Sequence, residues 1–185
     1  KKIINKIVKP TLRALKKRGK PYSGFLYVGL MIKNNDPYLI EYNVRMGDPE
    51  CQVILPRVEN DFVKVLYNAS NNKLQKSKIK WKNKKCMTIV LCSKGYPGKY
   101  KKYINIKNIK KLNLKKNDFI YHAGTSLING KLLSNGGRVL NFTSMGKSFH
   151  LIRKNIIRMI TKLNWKNGIF RKDIGWRVIK KNESN

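Results

Sequence analysis

Glu41 and Asn43 are the residues from which chemistry can first be read. They stand two apart in Leu39-Ile40-Glu41-Tyr42-Asn43-Val44, a run with strand character. Period-two geometry sets both side chains on one face with Leu39 and gives Ile40, Tyr42 and Val44 the other. A carboxylate and an amide oxygen side by side suit a hard dication such as Mg²⁺, which takes oxygen ligands and commonly shares them with substrate phosphates. Arg45 follows two residues later, and Gly47 permits a tight turn. Asp48-Pro49-Glu50 then reads as helix N-cap, first helical position and acidic first turn. The stretch 40–52 holds three of the chain's nine carboxylates. The same spacing also fits a surface hairpin whose glutamate is solvated and whose aspartate only caps a helix.

The elements that must position these groups are legible on either side. The apolar run Phe25 to Ile32 precedes the turn cluster Asn34-Asn35-Asp36-Pro37, so it should pair with the Glu41 strand as a hairpin. Ahead of it, Ile3, Ile4, Ile7, Val8, Leu12 and Leu15 recur on one helical face, with Pro10 bending or splitting the helix and Gly19 ending it. After Gln52 the chain is expected to be helical, interrupted at Pro56. Asn60 or Asp61 then caps a turn that carries Phe62, Val63, Leu66 and Tyr67 inward. Lysines crowd 73–85, marking a linker and a domain boundary near residue 80.

Beyond that boundary, Met87 to Leu91 reads as a buried strand, Phe119 to Ala123 and Gly137 to Thr143 as further strands, and Asn129-Gly130 as a two-residue hairpin turn. Phe149, Ile152, Ile156, Ile160 and Leu163 have helical spacing, opposed by Arg153, Lys154, Arg158 and Lys162, which predicts an amphipathic helix lying on a sheet. Ile169-Phe170 and Trp176 to Ile179 close the domain, and the last residues are expected to fray.

The stretch Glu41-Tyr42-Asn43-Val44-Arg45-Met46-Gly47-Asp48-Pro49-Glu50-Cys51-Gln52 resembles the E-x-N-x-R-x-G-D-P-E-x-Q signature of the phosphoribosylamine–glycine ligases, also called glycinamide ribonucleotide synthetases, a family of ATP-grasp enzymes. Upstream, Lys9-Pro10-Thr11 and Tyr22 to Met31 are similar to the helix and strand that precede the signature. Downstream, Ser93-Lys94-Gly95-Tyr96-Pro97-Gly98, His122-Ala123-Gly124-Thr125, Asn135-Gly136-Gly137-Arg138 and Arg171-Lys172-Asp173-Ile174-Gly175 resemble that family's carboxy-terminal domain, in its order.

The resemblance implies an α+β chain: residues 1–75 as the end of an ATP-grasp core carrying the metal strand, 76–85 as a Lys-rich linker, and 86–185 as a small mixed carboxy-terminal domain. It implies ATP with Mg²⁺ or Mn²⁺ as cofactors, and glycine and 5-phosphoribosylamine as substrates. Glu41 and Asn43 would hold the metal, and Arg45 would face the transferring phosphoryl group or the glycine carboxylate. Asp48 and Glu50 would receive the glycine ammonium unless they serve only the helix start, and Lys94 and Arg138 would take the ribose phosphate. The strand Tyr22 to Ile32 has no carboxylate, so further metal ligands would be phosphates, waters or residues outside this chain.

No stretch here matches the Gly-rich lid of ATP-grasp enzymes. Lys1 is not Met, and residues 1–8 already read as helix, so the chain is expected to be a carboxy-terminal portion whose partner is the amino-terminal half of the same enzyme.

Composition is consistent with that reading but adds a competing one. The formal charge of +33 fits a nucleic-acid-binding protein. It also fits the coding bias of an A+T-rich genome, because Lys, Asn and Ile make up about two fifths of the chain and lysines occur in every segment. The second explanation leaves no specific nucleic-acid partner. A basic binding protein and an inactive remnant of the ligase are the alternatives to the enzyme. No apolar run reaches the roughly 18 residues of a membrane span. Cys51, Cys86 and Cys92 lack C-x-x-C spacing and read as reduced thiols of a cytoplasmic protein, and His122 and His150 form no metal-spaced pair.

Overall fold

The computed structural model describes residues 1–183; the end expected to fray, 184 and 185, lies outside the described residues. The chain mixes helices with antiparallel sheets and forms two compact units, one made of residues 1–51 and 58–81, the other of 52–57 and 82 onward.

In the first unit a π-helical segment, Ile4–Val8, runs directly into α1, Lys9–Lys17. Pro10 lies in the first turn of α1, where a missing N–H is tolerated, so it marks the change of winding without breaking the rod. Gly19 takes φ +71° just past the helix end, a conformation that costs glycine little. β1, Tyr27–Lys33, and β2, Asp36–Asn43, form the expected hairpin. Its turn is tighter than the four-residue cluster suggested: Asn34 and Asn35 both have positive φ, a two-residue connection of the primed type, and Asp36 and Pro37 already belong to β2.

Lys2 and Lys6 both reach the Asp36 carboxylate, at 2.8 and 3.1 Å, and together hold that carboxyl below the usual range. Thr11 and Tyr42 share a hydroxyl contact farther along. The helix is therefore tied to the hairpin mainly by polar contacts. Of its apolar face Ile7 is buried, while Ile3 and Ile4 remain exposed.

Two expectations in this unit are corrected. The helix expected at Pro49 starts two residues later as α2, Cys51–Ile54, with no acidic residue in its first turn. Residues 48–50 form a turn closed by the Cys51 N–H bonding to Gly47 C=O at 2.9 Å, so Asp48 lies inside that turn and not at an N-cap. In α3, Phe62–Ser70, Asp61 is the N-cap, accepting from the N–H groups of Val63 and Lys64, but the face expected inward is wrong. Val63 is 73% exposed and Tyr67 is also exposed, whereas Val65 is 6% exposed. The cap fixes where the helix begins. Its rotation follows Phe62, which packs on Phe25 with ring centroids 6.3 Å apart.

The Lys-rich stretch after α3 is not an extended tether. It contains a 3₁₀ turn at Leu74–Lys76 and folds back so that Lys80 and Trp81 pair with Glu59 and Val58.

The second unit is a four-stranded antiparallel sheet of order β4-β7-β3-β8 with a helix across it. Its strands are β3, Lys85–Ser93; β4, Asp118–His122; β7, Arg138–Gly146; and β8, Gly168–Ile169. β5, Thr125–Ile128, and β6, Lys131–Ser134, form a separate hairpin about Asn129-Gly130, both with positive φ. α4, Phe149–Leu163, lays Ile152, Ile156, Met159, Ile160 and Leu163 against Ile89, Leu91, Leu140 and Phe142. Its alternate face carries the four cations expected there. Asn164 ends it in the left-handed conformation, and α5, Trp176–Glu183, follows. β7 is one of the two interior strands, beside β3, and is buried on both faces, which explains its near-continuous apolar and small-polar sequence from Val139 to Met145. Among the described residues no helix is long and apolar enough to cross a membrane.

Candidate functional site

In the first unit the hairpin register decides which side chains meet. Glu41 pairs across from Gly29, and Asn43 across from Tyr27. Glu41 and Asn43 share a face, and the Asn43 amide donates to Glu41 Oε1 at 3.0 Å. The glutamate side chain lies over Gly29, where an added Cβ would stand 3.0 Å from Glu41 Cγ. The missing side chain thus leaves room for the carboxylate.

Arg45 follows in the bend, its guanidinium donating to Met46 C=O at 3.0 Å. Glu50 turns back from the start of α2 and accepts from the Tyr27 hydroxyl at 3.2 Å, and its carboxylate fills the space above Gly47 so closely that a Cβ there would collide with it. The Glu50 charge, its hydrogen bond, partial burial and the Glu41 charge raise the Tyr27 pKa, while Arg45 opposes them. The phenol therefore senses three of the residues singled out in the sequence. Asp48 lies beside Cys51, whose thiol is raised first by burial and then by that carboxylate. Tyr27 and Gly29 were not picked out in the sequence. The signal was there: a glycine inside a strand often marks close approach by another group.

The donor set fits a hard cation. A carboxylate and a carboxamide lie adjacent on one strand face, the amide N–H donating to Glu41, and rotation of the amide about its last bond would turn its oxygen to the same side; no group of three or more His, Cys, Asp or Glu that could hold a metal occurs among the described residues. Such a site supplies two oxygens and leaves the remaining positions to phosphates and water, the habit of Mg²⁺.

In the second unit three stretches far apart in sequence are brought to one end of the sheet. The Ser93 N–H and hydroxyl donate to the carbonyls of Gly137 and Gly136, both at 2.8 Å. Gly124 and Gly136 approach so closely that a Cβ on Gly124 would stand 2.6 Å from Gly136 Cα. A Cβ on Gly137 would strike the Tyr96 ring, and the Tyr96–Pro97 peptide is cis. His122 Nδ1 and Thr125 Oγ1 lie 3.0 Å apart. Glycine is required here for contact between backbones, which explains why Gly-rich motifs cluster at this end. Lys94 leaves β3 there, its N–H bonded to Asn167 C=O, and Arg138 opens β7 opposite Cys92. Burial raises the Cys92 thiol, and the Arg138 charge offsets part of that. Glu41, Asn43 and Arg45 belong to the first unit, and Lys94 and Arg138 to the second.

Comparison with known proteins gives these sites a context. Residues 1–51 match the family model described as phosphoribosylglycinamide synthetase, ATP-grasp (A) domain, and residues 86–177 match its C domain. The chain is 42% identical over 176 residues to the phosphoribosylamine–glycine ligase of Agrobacterium fabrum, an alignment that covers 95% of this chain and 41% of that protein. It is 38% identical to the chloroplastic ligase of Arabidopsis thaliana, covering 98% and 35%. A crystal structure of the ligase from Thermotoga maritima superposes with a TM-score of 0.75 at 32% identity, covering 92% of this chain and 41% of that one. The chain thus spans about two fifths of the length of its bacterial relatives. These matches favour neither a nucleic-acid-binding protein nor an inactive remnant of the ligase. With both domain models matched in order and the fold shared, the chain belongs to the phosphoribosylglycinamide synthetase family and corresponds to the carboxy-terminal portion of its members.

Proposed function

We propose that this chain is the carboxy-terminal part of an enzyme that joins glycine to 5-phosphoribosylamine with conversion of ATP to ADP and phosphate. In this reading, residues 1–75 end the ATP-grasp core, 76–85 connect, and 86–185 form the C domain. The observation that carries it is the Glu41–Asn43 pair on β2, held over Gly29 and followed by Arg45, within a segment that matches the A domain.

ATP phosphorylates the glycine carboxylate to an acyl phosphate, and the ribosylamine nitrogen then attacks the acyl carbon and phosphate leaves. Glu41 and Asn43 would hold Mg²⁺, or Mn²⁺ in its place, which when bound neutralises charge on the phosphate oxygens. Arg45 presents a planar fork suited to two oxygens of a phosphoryl or carboxylate group. Glu50 and Asp48 place negative charge where an ammonium can be received, with Tyr27 fixing one Glu50 oxygen. Lys94 and Arg138 supply cations for the ribose phosphate.

The test is ATP-dependent incorporation of labelled glycine. The purified chain is expected to show none, because its charged groups would act on phosphates in high dielectric without a lid. Supplied with the amino-terminal three fifths of a relative, it should recover activity. Failure of every such combination, with both parts folded, would remove the assignment.

A further inference from the structure

The second unit carries 26 of the 42 Lys and Arg residues but three of the nine carboxylates. At the end of the sheet away from the glycine cluster, where β3 and β4 begin and β7 ends, two cavities of about 520 and 390 Å³ meet at Gly146 and Lys147. Arg57, Lys84 and Lys85 line the smaller, Lys115, Lys154 and Arg158 the larger, and Lys147 both.

The one carboxylate on these walls, Asp118, is buried and occupied. Ser144 and Asn155 donate to one oxygen at 2.7 and 2.6 Å, and the Lys115 N–H to the other at 3.2 Å. Several cations are held in place by neutral groups: Lys84 by Asn117 Oδ1 at 3.2 Å, Arg158 by Asn155 Oδ1 at 2.7 Å, and Lys85 over the Phe149 ring at 5.1 Å. α4 begins at the wall with no acidic residue in its first turn, which adds potential of the same sign. Like charges gathered in a concave surface focus the field and concentrate anions.

We propose that this two-lobed groove binds a chain of phosphate groups, specifically inorganic polyphosphate. The seven cations spread over its two lobes suit several phosphates in series. Nucleic acid is disfavoured because the aromatic ring at the groove, Phe149, is already covered by Lys85, leaving no platform there for a base to stack on.

The 185-residue chain is titrated with sodium tripolyphosphate in about 0.15 M salt, beside the double variants Lys147→Glu with Lys154→Glu and Lys101→Glu with Lys102→Glu. Reversing two charge-assisted contacts should weaken binding by at least about tenfold in the first variant, and by less than about twofold in the second. Equal losses in the two variants would show attraction by diffuse charge and overturn the site, as would absence of binding. A parallel titration with poly(U) tests the ligand class. Tighter binding per phosphate by poly(U), abolished by the first variant, would overturn polyphosphate in favour of RNA.

Discussion

Glu41 depends on a residue that carries no side chain. Because a Cβ at position 29 would crowd Glu41 Cγ, Gly29→Ala should shift the carboxylate by a few tenths of an ångström while the hairpin still pairs. In an assembled enzyme that variant is expected to raise the Mg²⁺ concentration needed for half-maximal activity, with an unfolding midpoint close to that of the parent. Glu41→Gln should go further and lower turnover by roughly two orders of magnitude or more, since under the proposed function it would remove the charged metal ligand. Parent-like metal dependence in both would separate Glu41 from the cation. Cys86 offers a second residue-scale test. Burial pushes its thiol up to about 11, against a smaller opposing effect from Arg57. The folded state therefore holds this proton more tightly than the unfolded chain, so the thiol's contribution to stability is complete below about pH 9 and is lost as pH rises through 11. At pH 8 an alkylating reagent should modify Cys86 in the native chain far more slowly than after denaturation. Equal rates would place Cys86 at the surface.

What could be read at the level of elements depended on which residues set each feature. α4 was legible because one apolar stripe, Ile152 through Leu163, faces a sheet that runs its whole length, so period alone gives its rotation. The two hairpin turns were legible because Asn and Gly tolerate positive φ. α3 was legible in its start but not in its rotation. Its helix is short, apolar residues occur on more than one side, and the contact that fixes it, Phe62 on Phe25, joins residues far apart in sequence. The segment 48–50 misled for a related reason. Asp-Pro-Glu matches a helix start, but Glu50 is drawn back to Tyr27, which no local pattern reveals. At the candidate site, Glu41, Asn43 and Arg45 could be picked out by type and spacing and Gly29 left a signal as a glycine inside a strand, whereas its facing partner Glu41 and the Tyr27–Glu50 contact required the fold. These rotations have measurable consequences. Ile156→Ala, at a fully buried position, should cost about 2–5 kcal/mol in denaturant unfolding. Val63→Ala, on the exposed side of α3, should change stability by no more than about 0.5 kcal/mol. A large loss at Val63 would restore the orientation first read from the sequence.

Across the whole chain, apolar burial is unequal. Every member of the contiguous buried cluster seen among the described residues, from Met87 to Leu163, belongs to the second unit. The first unit buries Ile7, Val58 and Val65 while leaving Ile40, Val44, Val63 and Tyr67 exposed, and α1 has no buried residue. Burial contributes roughly 25 cal/mol per Å² of apolar surface removed from water, so the first unit lacks most of the driving force that holds the second. Two-stranded hairpins are marginal unless a further layer covers them. The two units should therefore open with different free energies. In native-state hydrogen exchange, amides of β1, β2 and α1 are expected to exchange at least about a hundredfold faster than those of β3 and β7, and in denaturant the first unit should melt ahead of the second. Adding the amino-terminal part of a relative should slow exchange in β1 and β2 if the exposed faces of Ile40 and Val44 become covered, and leave β7 unchanged because it is already buried on both sides. Uniform protection across both units in the chain alone would mean that the polar ties of Asp36 to Lys2 and Lys6 and of Thr11 to Tyr42 stabilise the hairpin far more than exposed pairs of that kind ordinarily do.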